Sequence, residues 1–248
     1  MNVTIEGAKI YFTIPVLGGI PITETIVNGA IVTFVLFLLC LFLTHDLKVR
    51  PTSKRQIIAE YIVNLAKNFV QGNMGEKFAY FTPFVAALFA ASVFSSLLSV
   101  IGMYPPTSDL STTLAWAVLV FVLITYHKIK AGGLGGYLLG FAKPIAVLTP
   151  FNVLSEVATP ISMAFRHFGN IVSGSVITAL VYAALALASS ALFGLIPGAV
   201  GSFLSNIPLL QFGIPAVLSI YFDLFSSFMQ AFIFCMLTTL YIANAAEE

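Results

Sequence analysis

The chain has 248 residues, of which 59% are hydrophobic and 8% charged, with a formal net charge of +1. Soluble domains carry roughly 25% charged residues, so these charges cannot cover a water-facing surface, and the composition describes an integral membrane protein. The near-neutral balance leaves nucleic acid no electrostatic hold, and Cys40 and Cys235 lie far apart in apolar runs, as buried hydrophobes do, not a disulfide or a metal pair.

The first apolar segment is residues 22–44. No basic stretch precedes it, so it reads as a retained membrane helix and not a cleaved signal. The linker after it, "HDLKVRPTSKR", holds Lys48, Arg50, Lys54 and Arg55. That excess of positive charge puts the linker in the cytoplasm and the N-terminus outside. Residues 56–70 alternate apolar and polar groups at helical spacing and predict an amphipathic helix at the inner surface, or the foot of the next span. A second span covers about residues 79–102 and stops at "MYPPTSDLS", where Pro105-Pro106 breaks the helix. The third, "TTLAWAVLVFVLITY", ends at "HKIKAGGLGGYLLGFAK", whose Lys128, Lys130 and Lys143 return to the cytoplasm. The glycines there predict a flexible connection, and His127 is expected at the inner interface beside Lys128.

The last two segments are too long. Residues 145–193 contain only Pro150 and Pro160 as stops, and residues 207–245 only Pro208 and Pro215, with a turn at 194–208 between them. Helices of about 35–40 residues measure some 55–60 Å, against a hydrocarbon core of about 30 Å. They must break or lie strongly tilted as a hairpin, which suits a pair shaped to lie along another membrane object. The expectation is a single all-α membrane domain over 1–248, with spans at 22–44 and 79–127 and a tilted hairpin at 145–245. The C-terminus is then cytoplasmic.

Polar residues of the hairpin form stripes. At 100° per residue, Thr159, Ser162, Asn170 and Ser173 fall within about 40° of Arg166, and Ser175 falls opposite. On the final helix Ser219, Ser226, Ser227 and Gln230 lie within about 60° of Asp223. The Ser and Thr hydroxyls of such stripes can simply bond their own backbone. Arg166 and Asp223 cannot be dismissed so, because a charge at the bilayer centre costs about 2.5–3.5 kcal/mol or more. Two readings stay open: Arg166 and Asp223 pair internally, or Arg166, among the small neighbours Ala164, Gly169, Ser173 and Gly174, meets a carboxylate of another chain. An arginine suits the second because it keeps its charge when dehydrated. Glu156, ten residues before Arg166, lies toward the inner side and Asp223 toward the outer. One carboxylate on each side of a fixed cation is a pattern for proton transfer in two half-paths.

"ISMAFRHFGNIVSG" resembles the penultimate-helix motif of subunit a of F-type ATP synthases, the stator of the membrane motor Fo. "SSFMQAFIFCMLTTLYIANAAEE" is similar to that family's last helix, "PPTSDLSTTLAWAVLVF" to the start of its third, and "TPFNVLSEVATPIS" to its approach to the arginine. The matches run in family order across most of the chain. The resemblance implies that Arg166 is the essential stator charge, with Asn170 one turn later and Gln230 facing it across the hairpin. It implies Asp223 as the ionisable group of an outer proton half-channel and Glu156 near the inner one, with Ser162 also on the path. Where the family often has Glu or His nine residues after the arginine, this chain has Ser175, which can hold a water but cannot store a proton. His167, beside the arginine, is unusual and reads as a core or interfacial histidine or a member of the path.

The implied partners are the c-ring, the b subunits of the stalk and the bilayer, in a bacterial plasma membrane. No cofactor or metal is expected: the three histidines show no metal spacing, and no Gly-rich phosphate loop is present, so nucleotide chemistry belongs to other subunits. A sodium-driven version of the same stator is the nearest rival. A self-contained secondary transporter predicts internal repeats, which are not seen. An intramembrane enzyme or a His127/His167 haem protein completes the field.

Overall fold

The computed structural model describes residues 7–15, 19–49, 53–143, 145–194 and 220–247. Pro208, Pro215, Ser219 and nearly all of the turn expected at 194–208 lie outside these.

The chain opens on a feature absent from the sequence expectations, a two-stranded antiparallel hairpin of β1 (Ile10–Ile14) and β2 (Ile20–Thr23). Its strands are rich in β-branched and aromatic residues, which favour extended backbone. Pro21 lacks a donor and is tolerated because both strands are edges. The hairpin leads directly into α1 (Glu24–Thr44), tied by a 2.8 Å bond from Glu24 N–H to the Lys9 carbonyl. Only Thr25, Asn28 and Val32 of α1 are buried, so the helix touches the protein along one narrow strip near its N-terminal end.

α2 (Lys54–Met74) is the expected amphipathic helix, capped by the Ser53 hydroxyl, which accepts from Gln56 N–H at 3.3 Å. It ends at Gly75, whose φ of 82° only glycine adopts without strain. A 3₁₀ turn (Glu76–Phe81) then feeds α3 (Thr82–Leu97), which starts on Pro83, where the missing N–H costs nothing. α4 (Leu110–Gly140) is capped by Asp109, whose Oδ1 accepts from Ser111 N–H at 2.9 Å. The expected flexible connection is corrected here: the glycine-rich stretch stays helical to Gly140, with one break at Gly133 (φ 72°, ψ 168°).

α5 (Thr149–Gly194) is a single helix of 46 residues that carries Pro160 inside it. It is about 69 Å long at 1.5 Å per residue. The last segment starts as one π-helical stretch (Ile220–Ser226) and continues as α6 (Ser227–Glu247), packed on α3, α4 and α5. Among the described residues, five helical segments are long and apolar enough to cross a membrane: Glu24–Thr44, Glu76–Ile101, Leu110–Gly140, Ala146–Phe193 and Leu224–Ala246. The core lies among α3 to α6, around Val85, Val120, Met163, Phe234 and Ile242. Ala117, Ala164 and Ala231 are fully buried in it; small side chains let apolar helices approach closely where lipid offers no hydrophobic drive to pack.

Candidate functional site

Two faces of α5 organise the site. Pro160, Met163, Ala164, His167 and Gly174 are buried against the bundle. Ser162, Arg166, Asn170 and Ser173 are exposed, and Thr159 half-exposed. The expected stripe therefore exists as the uncovered face of the helix, flanked by the exposed Ile161, Phe165 and Ile177. No carboxylate among the described residues pairs with Arg166. The Asp223 side chain, the other partner considered, lies outside what is described, although its backbone stands in the Ile220–Ser226 π-helix.

Asn170 joins the hairpin: its Nδ2 donates to Ser226 Oγ at 2.7 Å, from the stripe of α5 to the polar stripe of the last segment. Ser175 is exposed and its hydroxyl donates to its own helix, to the Val172 carbonyl at 2.8 Å. Thr159 does the same toward the Ser155 carbonyl at 3.0 Å. These two hydroxyls follow the plain backbone-bonding pattern of helical Ser and Thr. Gln230 is buried at 5% exposure, and its Nε2 has no hydrogen-bond partner among the described residues.

Where α4 and the first half of α5 meet, the structure shows a contact the sequence did not signal. Lys128 Nζ lies 2.9 Å from Glu156 Oε2, with side-chain exposures of 22% and 16%. The other carboxylate oxygen, Oε1, is buried without a hydrogen-bond partner among the described residues. A cavity of about 490 Å³, walled by the α4 glycines, Lys143 and Asn152, touches this pair from the loop side. A second, of about 240 Å³, touches it from the side of Thr159, Tyr241 and Asn244. Lys128, Ser155 and Glu156 line both. The 28-residue separation of the partners explains why spacing could not reveal them. His127 is not at an open interface. It is 6% exposed, bonded to the Leu123 carbonyl through Nδ1 at 2.8 Å and to the Tyr80 hydroxyl through Nε2 at 3.3 Å, among Phe78, Phe81 and Tyr126.

The half of the bundle nearer the N-terminus of α1 holds a second group that sequence reading missed. Ser92, Ser95 and Ser96 on α3, Thr107 in the loop and Thr113 on α4 are all buried. Ser96 and Thr107 hydroxyls meet at 3.0 Å, and Ser92 Oγ lies 3.3 Å from His167 Nε2. At the start of α1, Thr25 Oγ1 donates to Asp109 Oδ2 at 2.8 Å, and Asn28 Nδ2 donates to the Tyr104 carbonyl at 2.8 Å. Burial pushes the Tyr104 phenol above its ordinary value, and the nearby Asp109 and Glu24 carboxylates add to the effect. The missed signal was a serine spacing of three and four on α3, which puts Ser92, Ser95, Ser96 and Ser99 on one face.

The model of the ATP synthase A chain matches residues 26–243 of this chain. ATP synthase subunit a of Desulforamulus reducens is 34% identical over 209 residues, 83% of this chain and 72% of that protein. Subunit a of Legionella pneumophila strain Philadelphia 1 is 30% identical over 243 residues, covering 98% and 94%. That of Moorella thermoacetica is 31% identical over 229 residues, covering 92% and 93%. With its apolar spanning helices and its match along nearly the whole length, the chain belongs to the ATP synthase A chain family, the non-catalytic membrane subunits of Fo.

Proposed function

We infer that this chain is the ion-translocating stator of its ATP synthase, with two proton half-channels that meet at Arg166. The observation that carries the reading is the uncovered α5 face: Arg166 stands there with Ser162 and Asn170, and no described carboxylate neutralises it. The c-ring is the partner for that face, and α5 with the last segment, residues 145–245, forms the tilted hairpin along it. The b subunits anchor the chain, the membrane is a bacterial plasma membrane, and the N-terminus is outside.

A proton from the outer side passes Asp223, Asn170 and Ser175 and neutralises a ring carboxylate. A neutral carboxyl enters lipid at far lower cost than a charged one, so the ring advances. Nearly a turn later the site reaches the inner path at Glu156 and Thr159 and releases its proton. On nearing Arg166 the carboxylate is held ionised by the opposite charge. Arg166 cannot itself give up a proton, so it separates the half-channels. Each charge crossing yields about 2.3 kcal/mol per 100 mV, and rotation sums several crossings for each ATP.

The test is Arg166→Ala in the assembled complex, in inverted membrane vesicles. ATP-driven acidification, followed by a quenched pH dye, is expected to vanish while ATP hydrolysis by the detached catalytic sector persists. Normal coupled pumping in the variant would overturn the reading.

A further inference from the structure

His167 is fully buried, next to Arg166 in sequence and about 100° round α5 from it, on the face packed into the bundle. Trp116 of α4 and Phe234 of α6 meet its ring edge to face at 5.9 and 5.6 Å, and Ser92 of α3 meets its Nε2 at 3.3 Å. Its Nδ1 is buried and has no hydrogen-bond partner among the described residues. Leaving a buried polar atom unmet costs about 1–3 kcal/mol, and an apolar side chain in this aromatic cage would avoid that cost. Gln230 stands one turn from Phe234 on α6, also buried, also with an unmet donor at Nε2. A water that accepts from both Gln230 Nε2–H and Nδ1–H satisfies both.

The elements packed against His167 carry few other ionisable groups. α3 carries no charged residue, and α4 none between Leu110 and Ile124. α6 offers Cys235, whose thiol points at the Val85 carbonyl at 3.9 Å, and Tyr241 toward the inner end. α5 offers Arg166, which keeps its proton, and the π-helix offers Asp223 and Tyr221. Above Ser92 the buried hydroxyls of Ser95, Ser96 and Thr107 rise toward Asp109 and Thr25 at the outer end.

We propose that His167 is a proton-relay residue of the outer half-channel, fed by the hydroxyl column of α3 and supplying the proton-holding group that Ser175 cannot. The proposal rests on the stator reading above. A proton delivered along the column binds Nε2, which has Ser92 as neighbour. The ring is briefly an imidazolium. The proton on Nδ1 then leaves through the water shared with Gln230 toward Asn170 and the ring carboxylate. The imidazole is left neutral with its proton on Nε2, and a reorientation of the ring that turns this N–H toward the shared water and the free nitrogen toward Ser92 resets it for the next proton.

The experiment uses the whole ATP synthase in proteoliposomes, with pH set separately on the two faces. His167→Gln keeps one hydrogen-bonding group for Ser92 but cannot take a proton. Turnover is expected to fall tenfold or more, with its dependence on outer-side pH flattened and inner-side dependence kept, while c-ring and b subunits still co-purify. His167→Glu, which can be protonated, is expected to restore a dependence on outer pH at a shifted position. A merely structural histidine predicts that His167→Gln behaves as the unmodified complex; an unchanged rate and pH profile overturn the proposal. If His167→Gln does not assemble, Ser92→Ala takes its place, and a normal outer-pH profile in that variant is equally fatal. Arg166→Ala in the same liposomes separates the two readings: blocked pumping there with a silent His167→Gln removes only the relay.

Discussion

At the scale of single residues, the ion pair of Lys128 and Glu156 carries the clearest energetic consequence. Both side chains are mostly withdrawn from water, and one carboxylate oxygen is already unmet. Removal of one partner strands the other charge, which costs 3–5 kcal/mol when burial is complete. Here the residual exposure reduces that to about 1–3 kcal/mol. Lys128→Met is therefore expected to lower the thermal midpoint of the detergent-solubilised complex, and Glu156→Gln likewise. The double variant is expected to recover most of the loss, because no charge is left stranded. Additive losses in that cycle would show that the two side chains are not coupled. At the other end, Asp109 does two jobs, capping α4 and accepting from Thr25 of α1. Asp109→Ala is expected to cost about 1–2 kcal/mol from the lost cap, and Asp109→Asn much less, by the same melting measurement.

Among elements, the spans were legible and the joints were not. The apolar runs and their breaks at Pro105-Pro106 placed the first three spans, because a bilayer demands one long apolar helix per crossing. The stripe around Arg166 was legible because a helix repeats every 3.6 residues, and exposure along α5 follows that repeat. The β1–β2 hairpin was missed: each strand is only four or five residues, too short for an alternating pattern to stand out. Gly133 was taken for part of a flexible linker, yet glycine at one positive φ can kink a helix that continues on both sides. The two kinds of glycine can be told apart. At Gly133 an added Cβ meets no atom, so Gly133→Ala carries only the backbone cost of a positive φ, about 1–2 kcal/mol. Gly136 is equally uncrowded and sits in ordinary helix, so Gly136→Ala is expected to be neutral or to stabilise by up to about 1 kcal/mol. Equal melting shifts for the two variants would show that the kink is not a conformational requirement.

For the whole molecule, what it lacks defines what it joins. The unburied face of α5 mixes Ser162, Arg166 and Asn170 with Phe165 and Ile177, a surface too polar for lipid and too apolar for water. The chain alone cannot satisfy such a face, and no sequence pattern of one subunit can show the residues of the partner that does. A cysteine scan tests this on the assembled complex with Cys40→Ser as background, since Cys40 is exposed and Cys235 buried. Cysteines at 162 and 170 are expected to form disulfides with cysteines placed at mid-membrane depth on the c-ring. Those at 163 and 164, on the face packed into the bundle, are expected to form none. With Gln230 at 5% exposure, a cysteine at 230 is expected to react with silver ion much more slowly than one at 170. Cross-links to the ring from 163 or 164 with none from 162 or 170 would mean that α5 presents its other face. Arg166 would then point away from the rotor, and the stator reading would lose its physical basis.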